Sequence, residues 1–339
     1  MTASSPGDTV YRIVADSWYA PHLRGAVALD DLLPRPVRSA AARSGLLRGL
    51  LLAAAGLRAD AVVTTNPSPG AAICLALYGL LGRRRVVLLE YIVHPPSGRF
   101  GRLRFTVLRK LLLRRALLRA QVLTDAEVPA YAALHGVGPD RFEVVRWPAR
   151  FDETPAPALR AGRVVVASGR RTDWDTFLRA ADGADWDVRV VCTGADLAAV
   201  QSLAPPSATV LHDISADENQ AVVNQATVYV IPVPETGASI GQIRVMNAGQ
   251  AGVPVVASDV SGFAGYLDQE VAVLVPPGDP AALRAAVDAL LDDPARREGL
   301  RSAARARGGT MDEYLTRIDE LAHRGAGPEP VTDGVERIS

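Results

Sequence analysis

PETGASIGQIRVMNAGQAGVPVVASDVSGFAGYLDQEVAVLVPPGDP, residues 234–280, is the stretch whose reading decides the fold. It follows an apolar run, TVYVIPV (227–233), and alternates a small-residue turn, a helical segment and two further short apolar runs, PVVAS (254–258) and AVLVP (272–276). Continuous valine-rich runs of this length are what strands buried on both faces of a parallel sheet look like. In open α/β sheets a ligand sits beyond the carboxyl ends of the strands, where the first amides of the next helix point at an anion. Gly237 and Gly241 permit the tight turns and close backbone approach that such a site needs. Ser239 is expected to cap a helix starting near Gly241. The amides of Ile240, Gly241 and Gln242 would then face a diphosphate.

The same alternation runs outward in both directions. RVVVAS (163–168), DVRVVCT (187–193) and ATVLHD (208–213) complete a second-half series of strands with helices between them, and 281–324 reads as three closing helices. In the first half YRIVA (11–15), DAVVTT (60–65), RVVLLE (85–90), QVLT (121–124) and FEVVRW (142–147) read as strands, with helical spacing over 39–56, 70–82, 103–119 and 126–135. RFDETPAPALRAG (150–162) lacks periodicity and is the expected linker. The fold class is therefore α/β: two Rossmann-like domains with parallel sheets facing a cleft, at 1–155 and 156–324, followed by a disordered tail at 325–339.

Composition sets the outer bounds. The chain has 339 residues, enough for two ordinary domains, and 48% hydrophobic against 22% charged residues excludes a disordered or fibrous chain. Cys74 and Cys192 sit in apolar runs, so neither a disulfide framework nor a metal cluster is expected. With no signal-peptide pattern, the expectation is a cytoplasmic protein. Residues 1–160 hold 22 Lys+Arg against 12 Asp+Glu; the remaining 15 against 25 balance them to zero. Lys110 is the only lysine, and an Ala- and Arg-rich chain of this kind suggests a GC-rich bacterium.

The continuation from Asn247, through Ala251, Gly252, Pro254–Ala257, Ser258, Asp259 and Gly262 to Pro276–Pro280, resembles the C-terminal domain of the retaining GT-B glycosyltransferases of family four. The fainter SGRRTDWDTFLRAADG (168–183) is similar to the strand and Gly-Arg turn that opens that domain, and QVLTDAEVPAYAALHGVGPDRFEVVRWPARFD (121–152) to the close of the acceptor domain, with Thr124 in place of a common serine. The resemblance spans roughly 60–310 and is specific over 235–290. It implies transfer of a sugar from a nucleotide-diphosphate donor. Arg170, with Arg171 beside it, would contact the diphosphate, as an arginine fork suits phosphate oxygens. The nucleoside would lie near Cys192, Thr193, Gly194 and Asp213, with Asn247 on the ribose.

The departures are specific. The family's Glu-x7-Glu pair falls on Ser239 and Asn247, so both carboxylates are absent, and its lysine after the Gly-Arg turn is replaced by Asp173 or Trp174. Glu235, with Thr236 and Gly237, is the nearest acidic group able to compensate toward the sugar. Asn66 and Glu90 stand at strand ends of the acceptor half, and His94, with an ordinary pKa near ~6.5, can orient or deprotonate a hydroxyl. His22, His135, His212 and His323 read as surface or loop residues. No Asp-x-Asp pair or ligand spacing points to a metal, and no cofactor beyond the nucleotide-sugar substrate is expected. RFGRLRFTVLRKLLLRRALLRA (99–120) reads as a basic amphipathic helix with eight Arg/Lys, either covering the sheet or resting on anionic lipid; no nucleic-acid motif accompanies it.

Two readings stay open. One is a retaining, metal-independent glycosyltransferase using a UDP-, GDP- or dTDP-linked donor and a small-molecule or lipid acceptor. The alternative is a catalytically altered GT-B protein that binds nucleotide-sugar or serves as a partner subunit. A pyridoxal-dependent phosphorylase, which needs a Schiff-base lysine in the second half, is disfavoured because Lys110 lies in the first.

Overall fold

The computed structural model describes residues 12–93, 98, 111–148 and 158–326. They form two units. One takes the described residues up to Val122, Ala130–Glu143, and those from Leu315 on; the other takes Leu123–Pro129 and Val144–Tyr314. The boundary at 155/156, most of the expected linker, His94, residues 99–110 of the basic stretch and residues 327–339 of the tail lie outside the described residues.

The first unit is built on strands β1 (Ile13–Ala15), β2 (Ala26–Ala28), β3 (Ala61–Thr65), β4 (Val86–Leu89), β5 (Leu117–Val122) and β6 (Phe142–Val144). They lie in the order β2-β1-β3-β4-β5-β6, and the registered pairs from β2 through β5 are parallel. Strand β2 is not visible in the sequence pattern: three small residues, half-exposed and on an edge, carry no hydrophobic signal. The expected helix over 39–56 is two helices, Arg35–Arg43 and Gly45–Ala55. They part at Ser44, whose extended backbone and side chain cap the second by accepting from Leu47 N. Helical conformation over 111–116 gives way to β5 at Leu117, so the basic stretch is not one helix to residue 120. The five consecutive buried residues Ala120–Thr124 are what a strand covered on both faces requires, whereas the buried Leu113, Ala116 and Leu117 before them keep helical spacing.

The second unit holds β7 (Val164–Ser168), β8 (Asp187–Cys192), β9 (Thr209–His212), β10 (Val228–Ile231), β11 (Val255–Ser258) and β12 (Val273–Val275), all parallel in the order β12-β11-β10-β7-β8-β9. Alternate residues enter two separate cores. Val165, Ala167, Val228, Val230 and Val256 join Trp174, Phe177 and Leu290 on one face. Val166, Tyr229, Ile231, Val255 and Ala257 join Phe263, Leu267 and Ala248 on the other. A sheet covered on both sides leaves no position for a polar alternate, which is why these strands read as unbroken apolar runs.

Three helices follow β12, as expected: Pro280–Asp292, Pro294–Arg307 and Met311–Ala326. The PGDP turn has a local cause. Gly278 takes φ 75, Asp279 accepts the amide of Ala282 at 2.9 Å as the cap, and Pro280 fills the first helical position where no donor is needed. In the first unit, Asp319 on the last helix accepts from Arg24 N at 2.7 Å.

Asp279→Ala should remove that cap and cost about 1 kcal/mol of stability. Thermal unfolding would register it as a fall of about 2–4 °C in a unit of this size, whereas Asp288→Asn, whose Trp186 hydrogen bond an amide can still accept, should shift it less.

Candidate donor and acceptor sites

In the second unit the strand order reverses between β7 and β10, so their following connections leave the sheet edge in opposite directions and open a space at the carboxyl ends. After β7 the chain turns through Gly169 at φ 107 and Arg171 at φ 56. Asp173 closes the turn: its amide donates to Pro232 O after β10 at 2.8 Å, and its carboxylate caps the helix Trp174–Ala181 by accepting from Thr176 N at 3.1 Å. Position 173 thus serves as a helix cap, and Trp174 is buried. Arg170 and Arg171 are both exposed on this turn.

After β10, the loop through Glu235, Thr236 and Gly237 leads to the helix Gln242–Ala251. Ser239 does not cap it. The cap is Gly241, at φ 80 and without any side-chain cap bond. Ser239 is instead 2% exposed, its amide donates to Glu127 Oε1 at 3.0 Å, and its hydroxyl finds no partner among the described residues. A serine held inward by its own amide cannot reach the helix end two residues on. The amides of Ile240, Gly241 and Gln242 make no hydrogen bond among the described residues, as first-turn donors do when no side chain caps them. The Gln242 side chain turns inward, donating to Gly262 O at 2.6 Å.

Arg244 joins the two turns, and sequence reading missed it. It is 6% exposed; Nη1 donates to Ser168 O at 3.2 Å and to Thr172 Oγ1 at 3.0 Å, and Nη2 to Arg170 O at 3.2 Å. The same Nη2 lies 3.3 Å from where a Cβ on Gly241 would sit, and the side chain is 3.0 Å from the corresponding point on Gly169. Both glycines are therefore required by close approach as well as by positive φ.

Glu235 is committed to the loop. Oε1 accepts from Gly237 N at 2.7 Å and Ser261 Oγ at 2.7 Å, and Oε2 from Ser261 N at 2.8 Å. These donors, Ser261 first, hold its carboxyl below the usual range. Glu127, also missed, is 1% exposed and accepts from Leu123 N, Thr124 N and Ser239 N. The TDAE spacing of a capping box was the signal that could have found it.

On the other side of β7, Gly194 N donates to Asp213 Oδ1 at 2.9 Å, so the strand ends of β8 and β9 meet as expected. This bond, then His212, lowers the exposed Asp213 carboxyl, with a smaller contribution from Arg170 nearby. Thr193 donates to Asp196 Oδ2 at 2.7 Å. Asn247 is half-buried with its carbonyl accepting from Gln220, and Ile243, four residues earlier on the same helical face, is 59% exposed.

In the first unit Asn66 and Glu90 stand past the ends of β3 and β4. Asn66 is buried, donating to Ile92 O at 3.2 Å. Glu90 accepts from Tyr19 OH at 2.8 Å, and burial pushes its carboxyl above the ordinary glutamate value against that bond. Next to Tyr19, Trp18 is 52% exposed and rests against Tyr19 and His22 rings, each at 5.1 Å. His135 is buried rather than on the surface, paired with Tyr91 OH at 2.9 Å. Among the described residues, no group of three or more His, Cys, Asp or Glu is placed to hold a metal, and no helix is long and apolar enough to cross a membrane.

Residues 158–293, inside the second unit, match the family model described as Glycosyl transferases group 1. Solved structures share the fold. The Anabaena HepE protein in complex with UDP is 14% identical at a TM-score of 0.64, over 91% of this chain and 98% of that one. Sucrose-phosphate synthase from Thermosynechococcus elongatus is 16% identical at 0.66, over 93% and 98%. A glycosyltransferase from Rickettsia africae is 12% identical at 0.63, over 93% and 98%. No curated protein matches the chain by sequence.

A neutral isostere should separate burial from charge at Glu90. Because its carboxyl is raised in the folded state, ionisation disfavours folding as pH rises through the folded value, and the penalty is absent well below the unfolded one. Glu90→Gln, which still accepts from Tyr19, should melt higher than the parent at pH 7, and the gain should vanish as pH falls below the 4.5 of an ordinary glutamate. A gain independent of pH would mean that Glu90 carries no buried charge.

Proposed function

We propose that this chain, a glycosyltransferase of GT-B fold, transfers a sugar from a nucleotide-diphosphate donor held in its second unit to an acceptor bound in its first. The observation that carries the reading is the meeting of two open turns at the β7–β10 strand-order reversal. Arg170 stands on one and the unbonded amides of 240–242 on the other, drawn together by the Arg244 guanidinium. Backbone donors, a helix N-terminus and a free guanidinium are a match for the oxygens of a diphosphate. The same donors favour the charge that develops on the departing nucleotide as the glycosidic bond breaks. No metal is needed for that step in this reading, because the positive charge is supplied by arginine.

The nucleoside would rest on Ile243 and Gly194, with the Asn247 side chain on the ribose and Asp213 at the base end. HepE, of the same fold, is described as bound to UDP and to UDP-glucose, which supports a uridine nucleotide as the first donor to try. In the first unit, acceptor hydroxyls would meet Asn66 and Glu90, with His94 in the following segment and Trp18 offering a ring face. We place the acceptor-binding domain at 1–155 and the donor-binding domain at 156–324, and propose that transfer proceeds with retention.

A specific observation favours a second reading. Positions 239 and 247 carry no carboxylate, and both oxygens of Glu235 are already occupied by Ser261 and Gly237. In that reading the chain binds nucleotide-sugar without turning it over.

Calorimetric titration with UDP, GDP and dTDP tests the donor site, and at least one should bind tighter than millimolar. Arg170→Ala should then weaken that nucleotide by about 1.5 to 3 kcal/mol, the range for a hydrogen bond to a charged group; unchanged affinity removes Arg170 from the site. Slow release of nucleotide from the donor sugar, followed by chromatography, separates the readings: binding without any hydrolysis or transfer favours the second.

A further inference from the structure

Arg244 is placed where two elementary rules disfavour a cation. It sits in the first turn of the helix Gln242–Ala251, near the positive end of the helix dipole. It is 6% exposed, and desolvating a guanidinium is costly unless an opposite charge lies beside it. Among the described residues it forms no ion pair with a carboxylate; its partners are the carbonyls of Ser168 and Arg170 and the hydroxyl of Thr172. Burial lowers its proton affinity, with Tyr229 acting in the opposite sense, yet a guanidinium remains protonated at neutral pH. Two carbonyls and a hydroxyl accept from three of its five donors without neutralising its charge.

The surroundings show what would. The Arg244 side chain occupies the space where a Cβ on Gly169 or Gly241 would sit, 3.0 Å from the first and 3.3 Å from the second. Those turns carry Arg170, which is exposed, and the amides of residues 240–242, which make no hydrogen bond among the described residues. Neither flanking position offers a second cation at the turn's end, since Asp173 is a helix cap and Trp174 is buried.

We propose that Arg244 is a positioning residue for the donor diphosphate: it fixes the Gly169–Arg170 turn and sets an unneutralised positive charge beside the two turns, which the bound diphosphate balances. This rests on the donor reading above. Its charge acts through a dry, low-dielectric layer of backbone, where water screens it little. Its three hydrogen bonds, to Ser168 O, Thr172 Oγ1 and Arg170 O, tie the Gly169–Arg170 turn to the first turn of its own helix. The inference makes the arginine specific for charge on the ligand, and indifferent to the nucleoside.

The test uses the full chain and whichever of UDP, GDP and dTDP it binds, with the matching nucleoside as control. Diphosphate affinity is measured by calorimetry and nucleoside affinity by saturation-transfer NMR. Arg244→Met, which keeps the length and apolar stem, should lose about tenfold or more in diphosphate affinity while nucleoside affinity stays within about twofold. Arg244→Lys, which retains the charge but not the fork, should recover part of the loss. A purely structural arginine would instead lower both affinities by the same factor, and that result, or an unchanged diphosphate affinity, overturns the proposal. If Arg244→Met does not fold, Arg244→Lys and Thr172→Val carry the same comparison: a diphosphate-selective loss supports the role and an equal loss sinks it. Parent protein that binds none of the three nucleotides ends the donor reading and this inference with it, whereas parent binding with indifferent Arg244 variants ends this inference alone.

Discussion

A parallel sheet sends every strand's carboxyl end to the same edge, and a reversal of strand order there forces consecutive connections apart. In the second unit that reversal falls between β7 and β10, and almost everything notable about the unit follows from it. The connection after β7 has to turn tightly, which requires Gly169 at positive φ. The connection after β10 has to enter a helix without a side-chain cap, which leaves its first amides open. The two would drift apart without a tie, and the Arg244 guanidinium and the Asp173–Pro232 hydrogen bond supply it. Both faces of the sheet are packed, so this edge is where backbone donors remain available.

Carboxylates in this region are used as acceptors for backbone amides. Glu127 takes three, Glu235 binds Gly237 and Ser261, Asp173 caps a helix and Asp213 holds Gly194. Each secures a loop whose own amides have no ladder to join. The consequence is electrostatic: negative charge is placed along the loops' backbones, while Arg170, Arg171 and Arg244 keep theirs. A site with that balance favours an anion. It also differs in kind from one that presents carboxylates at positions 239 and 247, and any chemistry it performs relies on donors and cations.

Much of the fold was legible because burial on two faces writes itself into composition. Val164–Ser168, Val228–Ile231 and Val255–Ser258 are strands where apolar runs said so. PGDP was legible for a local reason, since cap, proline and glycine act within four residues. Short edge strand β2 was not, because three small half-exposed residues bury too little to leave a pattern. Nor was the change from helix to strand at Leu117, since one leucine- and arginine-rich composition serves both. At the candidate site, Gly194, Asp213 and the 240–242 amides could be proposed from strand ends and turns, and Arg170 from the family resemblance of its Gly-Arg turn. Ser239 was misassigned as a cap because the bond that withdraws it comes from Glu127, 112 residues away.

The sequence by itself determined the class of fold, the strand series and the turns that must lie at one sheet edge, because periodicity, burial and glycine requirements are local properties. It also determined which carboxylates are missing, since that is a matter of residue identity. Tertiary structure alone decided which turns meet, that Arg244 lies buried between them, and that Glu235 is bound to Ser261 instead of standing free. Those outcomes depend on contacts between residues 26 to 76 positions apart, and a charged side chain's role is set by which partners reach it, which no local pattern encodes.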